Sequence, residues 1–221
     1  MIEIEIEDII KDKCPNLRIA TIECEINNSE YFPELWNEID FFRKEFLSKY
    51  SIEDINTIPA IQATRQAYKT LGKEPNRYRP SAEALCRRII RNILIYKVNT
   101  AVDLINFFSL KTGYSIGGFD ADKIQGGLKL GVGKKAELFH AIGRGLLNIE
   151  NLPVYRDEIG GIGTPTSDEE RTKLQLSSSR LFMIINAYSG NIGLKEAVIY
   201  SKTLLNKYLF TKEDELVVRV Y

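Results

Sequence analysis

Two short segments of this chain bring together residue types suited to small-molecule chemistry. Thr112-Gly-Tyr-Ser-Ile-Gly-Gly-Phe-Asp120 sets two adjacent glycines against an aromatic ring and a carboxylate. Gly160-Gly-Ile-Gly-Thr-Pro-Thr-Ser-Asp168 joins three glycines, three hydroxyl side chains and an acid. Glycine lets a ligand approach the backbone closely. Free amides, hydroxyls and a carboxylate together suit an amino group, a carboxylate or a scissile ester. The same residues are the usual makings of turns, so composition leaves both readings open. A third segment is basic, with Arg65, Lys69, Arg77, Arg79, Arg87, Arg88 and Arg91 interleaved with Tyr68 and Tyr78. Arginine beside aromatic rings is a combination that phosphates and unstacked bases favour. No RNP-like core or GxxG clamp assigns it to a named RNA-binding module.

Other chemistries find little support. The one histidine, His140, and the three cysteines, Cys14, Cys24 and Cys86, form no CxxC pair or His cluster, so no metal site is expected. No nucleophile motif points to His140, which reads as structural. Neither GxGxxG nor GxxxxGK[ST] occurs, so no nucleotide cofactor is expected. An odd cysteine count and an acidic, alternating N-terminus point to free thiols in a reducing, cytoplasmic compartment. No apolar run approaches ~18–20 residues, so no membrane partner is expected.

The chain of 221 residues carries 30 basic and 30 acidic side chains, a formal net charge of zero. That balance hides an asymmetry. Residues 1–60 hold six basic and fourteen acidic side chains, whereas residues 61–100 hold nine basic and two acidic. A basic block of this kind either marks a polyanion-binding face or is neutralised within the fold.

The elements that must position these residues read as follows. Ile2, Ile4 and Ile6 alternate with glutamates, the period of a half-buried strand, and residues 17–26 alternate more loosely as a second. Helices are expected over 33–50 and over 59–71, with Gly72 as C-cap. Ser81 is expected to cap a helix over 82–96, with an apolar stripe opposite Arg87, Arg88 and Arg91. A short helix follows over 101–111. Residues 113–163 hold 12 of the 15 glycines, which points to a compact β-region with tight turns. A buried strand over 180–187, a helix over 194–209 and a strand over 215–221 close the chain. This order predicts an α+β fold, mixed sheets packed with helices, in one domain over 1–221. Residues 1–50 read as an acidic strand–strand–helix elaboration of it.

The strings Arg65-Gln-Ala-Tyr-Lys-Thr-Leu-Gly72, Arg77-Tyr-Arg-Pro-Ser-Ala-Glu-Ala-Leu85, Asn99-Thr-Ala-Val-Asp103, Thr112-Gly-Tyr-Ser-Ile-Gly117 and Gly163-Thr-Pro-Thr-Ser-Asp168 resemble the stand-alone B3/B4 domain proteins. These are similar to the tRNA-editing region of the phenylalanyl-tRNA synthetase β subunit. The resemblance implies a three-layer α+β fold and a pocket for an amino acid such as tyrosine or phenylalanine. It also implies contact with a tRNA acceptor end and hydrolysis of mischarged aminoacyl-tRNA. Matched by motif, Asn106 and Gly117-Gly118-Phe119-Asp120 resemble one wall of the editing pocket, and Gly163 to Asp168 the other. Asn106, Thr166 and Asp168 are then the candidate catalytic residues. Gly117, Gly118, Phe119, Gly163 and Thr164 would bind the amino acid. Arg65, Lys69, Arg77, Arg79, Arg87 and Arg88 would hold RNA. Where the synthetase motif usually carries a histidine, this sequence has Gly117. No synthetase catalytic module is present in the sequence, so charging of tRNA is not expected. A non-catalytic RNA-binding module and a binder of free amino acids remain as alternatives.

Overall fold

The computed structural model describes residues 2–211 and 216–221. A four-stranded antiparallel sheet has the order β10-β2-β9-β3, formed by Val217–Val220, Arg18–Glu25, Arg180–Ala187 and Ser115–Asp120. A second, mixed sheet has the order β1-β4-β7-β8, formed by Ile4–Ile6, Leu128–Val132, Pro153–Arg156 and Gly161–Gly163. In it β1 runs parallel to β4 and the other pairs are antiparallel. A two-residue hairpin, β5 (His140–Ala141) with β6 (Gly145–Leu146), stands apart.

Alternation along the antiparallel sheet builds the layers. Ala20, Ile22, Leu181, Met183, Ile185 and Ile116 face one way and pack with α2 (Pro33–Lys49), α5 (Thr100–Thr112) and α6 (Leu194–Leu209). Ile19, Phe182, Ile184 and Phe119 face the other way and pack on Ile4, Leu128, Leu130 and Tyr155 of the mixed sheet. The result is helices, antiparallel sheet, mixed sheet: an α+β fold in three layers. No helix among the described residues is long and apolar enough to cross a membrane.

Residues 1–50, set apart by charge in the sequence, are threaded through both sheets. Strand β1 is an edge of the mixed sheet, and β2 lies between β9 and β10. A short helix, α1 (Asp8–Lys13), which periodicity did not reveal, joins them. Glu215, the first residue of the expected last strand, lies outside the described residues.

The arginine-rich helix differs from expectation at both ends. α4 spans Ser81–Ile90, and its N-cap is Pro80, with no side-chain cap. Ser81 instead donates its backbone N–H to the Pro165 carbonyl at 2.8 Å. The helix stops because Asn92 turns left-handed at φ 57°, a conformation asparagine tolerates better than most residues. Residues 93–99 then form a strap without regular secondary structure and leave Leu94 73% exposed. The apolar period that seemed to continue to Tyr96 therefore belongs partly to this strap. Its far end is fixed by Asp103, which accepts from the Val98 amide at 2.9 Å and the Trp36 indole at 2.8 Å. Asn99 then caps α5 by accepting from the Val102 amide. Cys24 and Cys86 are buried, as their patterned segments predict, and Cys14 is buried with them.

Candidate functional site

On the helix side of edge strand β3 lies a cavity of about 460 Å³. Its apolar wall comes from Val98, Val102, Ile105, Ile116 and Leu174. Its polar wall includes Asn106, Thr164, Thr166, Ser167 and Asp168. All three expected catalytic residues, Asn106, Thr166 and Asp168, therefore line one cavity, although Asn106 is far in sequence from the other two.

The loop after β8 is held tightly. Thr164 donates its hydroxyl to the Ser167 carbonyl at 3.1 Å and accepts from the amides of Thr166 and Ser167. Thr166 shares a 2.8 Å hydrogen bond with the Tyr68 hydroxyl of α3 (Pro59–Thr70), both side chains being buried. The loop is thus tied to α3 through Tyr68 and to α4 through Ser81. Asn106 makes no side-chain hydrogen bond among the described residues, so its amide is left for a ligand.

Asp168 sits where β3 ends the sheet. The Gly118 N–H points outward from that edge and donates to Asp168 Oδ2 at 3.4 Å, a long and weak bond. Asp168 lines the cavity and is half-buried. Burial pushes its pKa up to about 7, and the Gly118 amide lowers it only slightly. A carboxyl titrating near neutrality is suited to exchange a proton with water.

The expected binding residues divide by face. Gly118 and Thr164 line the cavity. Gly117 and Phe119 point from β3 to the opposite side, and Phe119 is a core residue between the sheets, 1% exposed. Gly163 belongs to β8, paired with Tyr155. The first expected loop is therefore largely strand and the second begins as one, and the amides of Gly117 and Gly163 lie within ladders rather than open turns. Gly117 and Gly163 act indirectly. A Cβ at 117 would come within 2.8 Å of Phe119 and 3.2 Å of Asp168 Oδ1, and one at 163 within 2.6 Å and 3.0 Å of the same residues. Both glycines thus make room for Phe119 and for the Asp168 carboxyl. A histidine at position 117 has no space beside these two side chains. Asp120 accepts from Ser178 at 2.7 Å and lies 3.3 Å from Lys123, a structural role.

Gly118 is open for a different reason. A Cβ there would sit 2.1 Å from Ile105 Cδ1. Ile105 also lines the cavity, and its methyl end can swing only at the expense of that space. Gly118→Ala is expected to weaken binding of a tyrosine-sized ligand and to cost about 1–3 kcal/mol of stability. Ligand titration followed by calorimetry, with urea unfolding alongside, checks both effects.

The basic residues also divide. Arg65 donates to Glu83 at 2.7 Å and to Asn76, and Arg87 donates to Glu83 at 2.8 Å and to Asn56. Arg79 stands 3.8 Å from the same carboxylate. Glu83 is fully buried beneath them. Arg65 is thus committed to structure, and Lys69 is exposed in the last turn of α3. Arg77, Arg79, Arg87 and Arg88 surround a separate depression of about 270 Å³.

Sequence reasoning missed Ser81, Ile142, Lys173 and Gln175 on the cavity wall. Ile142 arrives on the β5–β6 hairpin, whose tip is tied down by a 3.0 Å bond from the Ile142 amide to the Asp168 carbonyl. The only signal for that hairpin is the pair Gly143 and Gly145, both with positive φ.

None of the curated proteins compared with the chain matches it. Among solved structures, an N-terminal fragment of the phenylalanyl-tRNA synthetase β-subunit from Pyrococcus horikoshii aligns with 99% of this chain at 14% identity and a TM-score of 0.46. The alignment takes in 50% of that structure, so this chain spans about half its length. The B3/4 domain family matches residues 63–203, a span that includes both cavity walls and the arginine helix. On that match, the chain belongs to the B3/4 domain family.

Proposed function

We propose that this B3/4 domain hydrolyses the ester of an aminoacyl-tRNA, removing an amino acid such as tyrosine or phenylalanine from a mischarged acceptor end. The observation that carries the reading is the meeting of Asn106, Thr166 and Asp168 at one cavity. Its volume of about 460 Å³ lies within the ~300–1,000 Å³ of small-molecule sites. The apolar wall of Val102, Ile105 and Leu174 suits an aromatic side chain. Asp168, as carboxylate, orients a water molecule and accepts its proton while the oxygen attacks the ester carbonyl. The Asn106 amide donates to the developing oxyanion, and Thr166, steadied by Tyr68, positions the amino acid. Collapse of the tetrahedral intermediate breaks the ester bond, and the proton on Asp168 passes to the departing ribose oxygen. The products are the free amino acid and uncharged tRNA. No covalent nucleophile and no cofactor enter this sequence of steps.

The test is direct. Purified protein is incubated with tyrosine esterified to the phenylalanine tRNA and with a panel of other mischarged tRNAs. Release of at least one amino acid well above the spontaneous rate is the expected result. Rates equal to spontaneous hydrolysis across the whole panel would reject the reading.

A further inference from the structure

A second hollow, of about 620 Å³, lies where the start of α3, the end of α5 and the turn from β9 into α6 come together. Its lining is mainly apolar and aromatic, with Ile58, Pro59, Tyr114, Ala197 and Tyr200. It shares no lining residue with the functional cavity. A smaller depression of about 330 Å³ adjoins it through Ile58, Lys111 and Thr112 and carries the apolar surface on to Phe42 and Tyr50.

The rim of this hollow presents apolar side chains to water. The Tyr114 hydroxyl donates to the Ile192 carbonyl at 2.8 Å, which holds the turn before α6 in place. The Ile192 side chain is nevertheless 88% exposed. Ile199, 55% exposed, lies three residues beyond Glu196 on α6 and shares its face. Single exposed isoleucines are ordinary. Two beside an apolar hollow make a patch of the kind that marks an interface.

Two opposite charges also line the hollow, Lys111 and Glu196. Neither side chain makes an ion pair or a hydrogen bond among the described residues. Lys111 lies 5.0 Å from the centroid of the Phe42 ring. Glu38 feels the charge of Lys111 but is itself paired with Lys207 at 2.7 Å.

One face thus carries an apolar projection and an apolar hollow, an unpaired cation and an unpaired anion. Such a face is complementary to itself. A two-fold axis sets residue i against j and j against i, so each charge meets its opposite twice. A small molecule filling the hollow would leave Ile192 and Ile199 in water, whereas a second copy covers both. We propose that this face joins two copies of the chain about a two-fold axis. Ile192 of each copy sits in the hollow of the other, and Lys111 of each pairs with Glu196 of the other. The dimer is independent of the reaction proposed for the functional cavity.

Sedimentation equilibrium over a range of protein concentrations tests it, and the parent is expected to show twice the chain mass. Lys111→Glu alone and Glu196→Lys alone each set like charges together at both contacts. Each should raise the dissociation constant by at least about tenfold. Mixed in equal amounts, the two variants restore two opposite pairs and should form a heterodimer about as tight as the parent. Pairing within one chain cannot produce that recovery. Ile192→Asp would bury an unpaired carboxylate in the contact and should leave monomers. Thermal melting confirms that each variant folds, and Ile192 is exposed enough for its replacement to spare the fold. A parent that stays monomeric, an Ile192→Asp variant that still dimerises, or a mixture that fails to recover would each overturn the proposal. Open-ended assemblies would overturn the two-fold arrangement. A monomer that carries a small apolar molecule into native mass spectrometry would give the hollow to a ligand instead.

Discussion

Asp168→Asn is expected to lower ester hydrolysis by at least about 100-fold, the low end of general-base effects, and yet to make the protein more stable at pH 8. The two effects have one cause. Burial raises the Asp168 pKa to about 7 in the folded chain, against about 3.9 when unfolded. A raised carboxyl pKa favours folding while the group is protonated in both states, below about pH 4. Between pH 4 and 7 the folded state holds more protons than the unfolded one, so stability falls as pH rises. The full loss by pH 8 is about 4 kcal/mol at most, from the size of the shift. Asparagine does not ionise, and its carbonyl can still accept from the Gly118 amide. The variant should therefore match the parent near pH 4 and exceed it at pH 8, as read by urea unfolding at both values. Hydrolysis by the parent should rise with pH through about 7 as the carboxylate forms. A variant less stable at pH 8 than the parent would show that the carboxylate is satisfied where it stands.

Glu83→Ala is expected to produce the largest loss of stability. This fully buried carboxylate lies 2.7 Å from Arg65 and 2.8 Å from Arg87, whose side chains are only 12% and 15% exposed. Its removal strands two guanidinium groups with little water to receive them. Breaking a buried pair in this way costs about 3–5 kcal/mol. For a chain of this length the fall in melting temperature is then roughly 6–20 °C. Arg79→Ala serves as the contrast, because that side chain is 43% exposed and stands 3.8 Å away. It should cost well under about 1 kcal/mol. If Glu83→Ala melts within a few degrees of the parent, Arg65 and Arg87 have turned to solvent and the carboxylate is not their anchor.

The sequence foretold long periodic elements well and short ones badly. β9 and α6 stand where their patterns put them, because eight and sixteen residues of consistent burial leave one reading. α4 was overextended because Ile93, Leu94 and Tyr96 keep an apolar rhythm after the backbone has turned at Asn92. β5 and β6, of two residues each, are too short for any period. The site followed the same rule. Motif strings located Asn106, Thr166 and Asp168, and the cavity unites them. The same strings could not say which face of β3 each residue takes, and a shift of one position sends Phe119 to the core and Gly118 to the cavity. Nor could charge counting separate Arg65, bound to Glu83, from Arg91, which has no such partner among the described residues.

Strand β2 pairs with β9 along its whole length, from Arg18 with Ala187 to Glu25 with Arg180, and with β10 on its other side. Both partners come late in the chain. During synthesis β2 emerges early, as an eight-residue strand with both edges unpaired, and waits for nearly the whole remaining sequence. Such long-range pairing slows folding and leaves strand edges open to other chains. Yield in a cell is thus expected to depend on what protects Arg18–Glu25 in that interval. A fragment cut to residues 63–203 would lack this strand altogether, leaving β9 with one neighbour in place of two.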